Sequence, residues 1–256
     1  MAPRRRILIF FLVAYALSWF GWLGNWLWPG LPVWPLPNNP FGPIIAAPLV
    51  IGLLDGRDGL KAWLRRLGQF RAPRWTYLVA LLVPVAIILA SVGLAAATGA
   101  PTRPLPDREL LEFVLLVPIL LLLGPIEEEP AFRGYGLHEL QQTMTPLAAS
   151  LWIGIGVLVW HAPNFAVGAI PWPFAITIVA VSVVYAWLYQ LGRSIWPLVT
   201  LHFAVNYFGG EFFGSMIAPS GQVLYAVYFC LGYLIWVGYI LVRHGRELGR
   251  TGSWQT

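Results

Sequence analysis

The chain has 256 residues, of which 58% are hydrophobic and only 11% charged, with a mean hydropathy of +0.70 and 14 Trp. A soluble domain carries about 25% charged residues, so this composition cannot cover a water-facing surface and excludes soluble enzymes, nucleic-acid-binding modules and disordered tails. The net charge of +5 comes from 16 basic and 11 acidic residues, and the single cysteine, Cys230, excludes an internal disulfide framework or a cysteine-rich metal cluster.

A helix needs about 20 apolar residues to cross a hydrocarbon core about 30 Å thick. Apolar, charge-poor runs at 7–28, 41–54, 75–98, 110–132, 147–168, 173–191, 195–213 and 222–242 predict eight spans. The fold class is therefore all-α, a polytopic membrane protein forming one domain over 1–256. Repeated short alternating segments are missing, which argues against a β-barrel. The first run continues uncharged to Trp28, so Ala14-Tyr15-Ala16 reads as part of a span and not as a signal-peptide cleavage site. The second run is short unless its Pro-rich approach, Pro35 to Pro43, is partly embedded. Only Gly192-Arg193-Ser194 separates the sixth run from the seventh.

Basic residues give the orientation. Arg4, Arg5 and Arg6, six Lys and Arg in 55–74, Arg133, Arg193, and Arg243, Arg246 and Arg250 fall on one side, 14 of the 16. Arg103 and Arg108 are left opposite. The positive-inside rule then places both termini in the cytoplasm. Within 55–74, Leu60, Trp63, Leu64, Leu67 and Phe70 recur near helical spacing among Lys61, Arg65 and Arg66. Such a segment either lies in the headgroup plane or serves as a solvated basic connector.

Ionisable groups inside spans are costly and mark functional sites by default. One cluster stands out, Gly124-Pro125-Ile126-Glu127-Glu128-Glu129-Pro130-Ala131-Phe132-Arg133-Gly134, directly after an apolar run. Glu129 and Arg133 are four apart and share a helix face, which predicts an ion pair. Glu128 is rotated about 100° away, toward a neighbouring helix. Glu127 has no evident partner and is expected at the interface. His161, and the pair His202 and Asn206, supply polar groups in two further spans. Folding the chain at Thr143-Met144-Thr145-Pro146 sets Glu128 level with His161. His202 lies nine residues past Arg193, about 13 Å along a helix. The three sites thus converge at one level, expected in the cytoplasmic leaflet. Pro118, Pro125 and Pro130 each remove a backbone N–H from the fourth span, which favours a cavity there.

A carboxylate and imidazoles in a shielded pocket suit general base catalysis on water, with hydrogen bonds to the oxyanion that forms on an attacked carbonyl. Other intramembrane protease designs fit poorly. The only His-Glu pair, His138-Glu139, is followed by Gln142 where a zinc-binding HExxH motif needs its second His. Asp55, Asp58 and Asp107 all fall in loops, and Ser215 is weak as a nucleophile. Zinc held by Glu128, His161 and His202 remains an alternative, since two His and one Glu form an established catalytic ligand set.

Glu128-Glu129-Pro130-Ala131-Phe132-Arg133 resembles the EExxxR motif of the CPBP family, the CAAX proteases and bacteriocin-processing enzymes also called Abi. His161 falls where that family has its second-motif histidine, and His202 with Asn206 matches HxxxN. The resemblance spans roughly 43–210, with Val157 standing where the second motif often has Phe. It implies that Glu128 activates water with His161, that His202 and Asn206 form the oxyanion site, and that Glu129 and Arg133 support them. The family has been described both as metalloproteases and as metal-free glutamate enzymes. The reading adopted is metal-free, without a cofactor. The expected protein is a multi-pass endopeptidase of a bacterial cell membrane. It would cut a membrane-associated peptide in a cavity open to the cytoplasm, with no nucleic-acid partner. The alternatives are a non-catalytic binding or bacteriocin-immunity protein and a proton-coupled transporter using the Glu/His cluster as a relay. Substrate, prenylation of the substrate and oligomeric state are not legible.

Overall fold

In the computed structural model, the structure describes residues 2–28, 38–105, 107 and 109–250, so Pro35 and Arg108 of the sequence reading lie outside it. Among the described residues the fold is helical without strands, apart from one isolated antiparallel bridge between Thr102 and Ile217. Its surface is apolar: Leu53, Ile235 and Val242 are 84%, 74% and 86% exposed. In water such an exterior would aggregate, but against lipid it has no cost.

Helix α1 (Pro3–Leu27) packs antiparallel on the first half of α2 (Gly42–Leu67). Gly56 bends α2 with φ +63°, a conformation that a side chain disfavours. The continuation, residues 57–67, is a helix packed on the body of the protein and not a plain loop. Trp63 is buried, its Nε1 donating to the Pro130 carbonyl at 3.2 Å, while Lys61, Leu64 and Arg65 face outward. Helix α3 (Arg74–Ala97) follows. The fourth run breaks into α4 (Leu110–Leu121) and α5 (Glu127–Ala131), with α6 (His138–Leu140) beyond it, all joined by irregular turns. After it come α7 (Pro146–Trp160), the short α8 (Ala162–Ala166), α9 (Phe174–Gly192), α10 (Trp196–Ala204) and α11 (Gln222–His244).

Every expected apolar run thus has a helical counterpart. Among the described residues four helices are long and apolar enough to cross a membrane: Pro3–Leu27, Arg74–Ala97, Phe174–Gly192 and the stretch Pro219–Glu247. Helix α7 has 15 residues, and the fourth and seventh runs are interrupted. The interruptions occur where the polar residues are. Helix α9 packs most extensively, on α7 and α11, and its second half is buried almost throughout.

The basic residues gather at one end. Arg6 pairs with Asp55 and sits 3.5 Å from Glu139 Oε2, and Arg250 reaches the Gln141 carbonyl. Ser194 donates to the Gln69 carbonyl and Trp196 to that of Leu67, which brings the α9–α10 junction to the same end. Burial and the nearby Arg66 guanidinium hold the His138 imidazole down at about 4. At the opposite end, Arg103 donates to Ser215 and the bridge at Thr102 ties 101–103 to 215–218. Arg133 belongs to neither end; it is 3% exposed and lies inside.

Candidate active site

The site is built on the break in the fourth run. Leu123 and Gly124 leave helical geometry, Gly124 at φ +143° and ψ −84°, and Pro125 has no N–H to continue the ladder. The helix restarts at Glu127, so Glu127, Glu128 and Glu129 occupy the first turn of α5, all buried. Glu127 is 2% exposed and therefore not interfacial, a correction to the sequence reading; the backbone turn at Gly124 carries it inward.

Glu129 is the hub. Its Oε1 accepts from Arg133 Nη1 at 3.2 Å and from His202 Nδ1 at 2.8 Å. The guanidinium also donates to Ser182 Oγ at 3.3 Å and lies over the Tyr185 ring, 4.2 Å from its centroid. Ser182 can accept because its own proton goes to the Ile178 carbonyl. The expected Glu129–Arg133 pair is therefore present, completely buried, and extended by a cation–π contact.

His161 caps α7. Its Nδ1 lies 2.9 Å from the Val157 carbonyl. A carbonyl only accepts, so Nδ1 carries the hydrogen and the neutral ring keeps its lone pair on Nε2. Trp160 meets that ring edge-on at 4.7 Å, and its own Nε1 donates to Ser18 at 2.7 Å. Asn206 lies one turn beyond His202, in the widened turn Val205–Phe212. A Cβ on Gly124 would stand 2.7 Å from Asn206 Nδ2 and 3.4 Å from His202 Nε2. The bare glycine thus leaves both nitrogens facing one small space.

Two cavities meet at these groups. The larger, about 1060 Å³, runs between α7, α9, α10 and α11 and is walled by apolar side chains such as Val157, Phe174 and Phe229. The smaller, about 290 Å³, is more polar. Four residues line both: Glu128, His161, His202 and Asn206. All four expected catalytic residues therefore stand in one partition, and Arg133 lines the larger cavity beside them.

Residues 110–208 match the family model described as Rce1-like, type II CAAX prenyl endopeptidase. This is the CPBP and CAAX protease family that the three motifs resemble, and the matched stretch contains all six expected site residues. No curated protein matches the chain. The chain is similar to that family over 110–208, and this match together with the apolar helices supports an integral membrane protein.

The larger cavity extends to Arg103, Trp172 and Ser215, at the end opposite the basic cluster. Trp63, Phe132, Tyr135 and Leu137 are buried.

Ligand atoms of Glu128, Glu129 and His202 lie within 4.8 Å of one another, a grouping able to take a metal ion. His161, part of the zinc set considered from sequence, is outside that group. Sequence reasoning missed Gly124, Ser182 and Tyr185. The Gly-Pro step in an apolar run was a usable signal for Gly124. Nothing in the sequence distinguishes Ser182 or Tyr185 from ordinary polar residues of an apolar helix.

Proposed function

We propose that the protein is an intramembrane endopeptidase that hydrolyses a peptide bond with water activated by Glu128. The observation that carries this reading is the shared partition: among the described residues the four groups needed for hydrolysis, and only they, line both cavities. A membrane-embedded peptide would enter the larger, apolar cavity.

Glu128 takes a proton from water while the lone pair on His161 Nε2 accepts the second O–H, fixing the direction of the oxygen lone pair. The water oxygen bonds to the carbonyl carbon, and the C=O electron pair moves onto oxygen. His202 Nε2 and Asn206 Nδ2, converging beside Gly124, receive that oxyanion. Because Nδ1 of His202 already donates to Glu129, donation from Nε2 requires the imidazolium, whose charge the Glu129 carboxylate balances. Collapse breaks the C–N bond, and the proton on Glu128 passes to the leaving amine. Glu129 and Arg133 position His202 and do not touch the substrate.

A metal-free mechanism suits the charges. The Arg133 guanidinium already bonds Glu129 Oε1 at 3.2 Å, and a divalent ion on Glu128, Glu129 and His202 would add like charge beside it. By the positive-inside rule the basic end is cytoplasmic, and the end of the larger cavity lined by Arg103 and Trp172 then faces the other side. Digestion of a mixed peptide library by purified protein in detergent tests the reading. Cleavage at internal peptide bonds is expected, and binding of peptides without cleavage would favour the immunity-type alternative.

A further inference from the structure

The smaller cavity contains more than the partition. Glu127 and Asn38, 2% and 6% exposed, line it together with Asn164. Glu127 Oε2, Asn38 Oδ1 and Asn164 Oδ1 are buried oxygens without a hydrogen-bond partner among the described residues. Asn38 is oriented by its amide nitrogen, which donates to the Trp160 carbonyl at 3.2 Å, so its oxygen is the free group. None of these three residues lines the larger cavity.

Three buried acceptors in one chamber need donors. Buried polar groups left unsatisfied are costly, and water supplies O–H donors wherever a polar cavity has room. At about 30 Å³ of liquid per water, the chamber holds several. We infer that this chamber is the water supply of the site: it is hydrated through Glu127, Asn38 and Asn164, and feeds the nucleophile through the Glu128–His161 partition while the peptide fills the larger cavity. The inference rests on the hydrolytic reading above and deepens it.

The arrangement meets a requirement of the chemistry. Each cleavage consumes one water, and the abstracted proton leaves on the amine, so the site must be rewetted after every turnover. A peptide seated in the apolar cavity blocks water from that side. A supply behind the carboxylate removes the conflict and brings water to the face of Glu128 away from the peptide. Glu127 in this account is a positioning residue that holds water and exchanges no proton with the substrate.

The test compares Glu127→Leu, Glu127→Gln and Asn164→Leu with the wild type. The Leu variants remove an acceptor and dry the chamber. Their kcat should fall roughly tenfold or more, up to the about 10²–10⁴ that positioned proton transfer contributes in full, while KM stays constant. Glu127→Gln keeps a polar end and should retain most of kcat. A second measurement needs no turnover: in Glu127→Cys, Cys230→Ala protein, a small water-soluble thiol reagent should label position 127, and a hydrolysis-resistant peptide should not protect it. Unchanged kcat in both Leu variants, a raised KM in place of a lowered kcat, or absent labelling would each overturn the water supply. Wild-type protein without peptidase activity, yet labelled at 127, would instead fail the hydrolytic reading and leave the chamber hydrated without that role.

Discussion

His202 Nδ1 and Arg133 Nη1 share one oxygen of Glu129, at 2.8 and 3.2 Å. The histidine proposed to hold the oxyanion is thus oriented by a carboxylate that is itself held by a buried guanidinium. One ion pair serves both the fold and the site, and substitutions along this chain separate the two roles.

Arg133→Ala should act first on stability. It leaves Glu129, 0% exposed, without its guanidinium partner, a loss of about 3–5 kcal/mol for a broken buried pair. Arg133→Lys should recover little, because the ammonium cannot serve Glu129, Ser182 and the Tyr185 face together. Melting in detergent and the amount of extractable protein check this. A normally stable but inactive Arg133→Ala protein would show that the guanidinium meets the substrate instead.

His202→Ala and Asn206→Ala should fold and fail at turnover. Loss of an oxyanion donor costs about 10²–10³ in kcat, with little change in KM. The Asn206 change should leave melting untouched, while His202→Ala should lower it somewhat by freeing Glu129. Steady-state kinetics beside melting curves distinguish this from general damage.

Much of this was legible in the sequence because lipid makes polarity scarce. In a chain with 11% charged residues, Glu128, Glu129, Arg133, His161, His202 and Asn206 stand out individually, and i,i+4 spacing alone gives the Glu129–Arg133 pair. The apolar runs also mark where helices form. What spacing does not encode is which side of a residue is filled. Trp63 is buried and bonded to the Pro130 carbonyl because 57–67 turns back after Gly56, a bend that residue spacing does not predict. Glu127 was misplaced for a related reason. A helical wheel assumes an unbroken helix, and the chain breaks at Gly124, three residues earlier.

Chelators should leave activity unchanged, and purified protein should lack stoichiometric zinc by elemental analysis. Activity that is lost with a chelator and restored by zinc would make Glu128 and His202 metal ligands, with Glu129 or His161 completing the set.

Reporter fusions at Arg66 and after Arg250 should both read cytoplasmic, since both positions lie at the basic end. A reporter inserted beside Trp172 should read on the opposite side. Signals reversed at all three positions would keep the fold and turn the Trp172 end of the larger cavity to the cytoplasm. A split between Arg66 and Arg250 would break the helical map itself.

The central claim is that Glu128 is the base, and single-turnover cleavage of one identified peptide by wild type and Glu128→Gln measures it most directly. Gln keeps the volume and removes the proton acceptor, so bond cleavage should vanish while peptide binding and melting temperature stay at or above the wild-type values. Undiminished cleavage by folded Glu128→Gln protein would contradict the account.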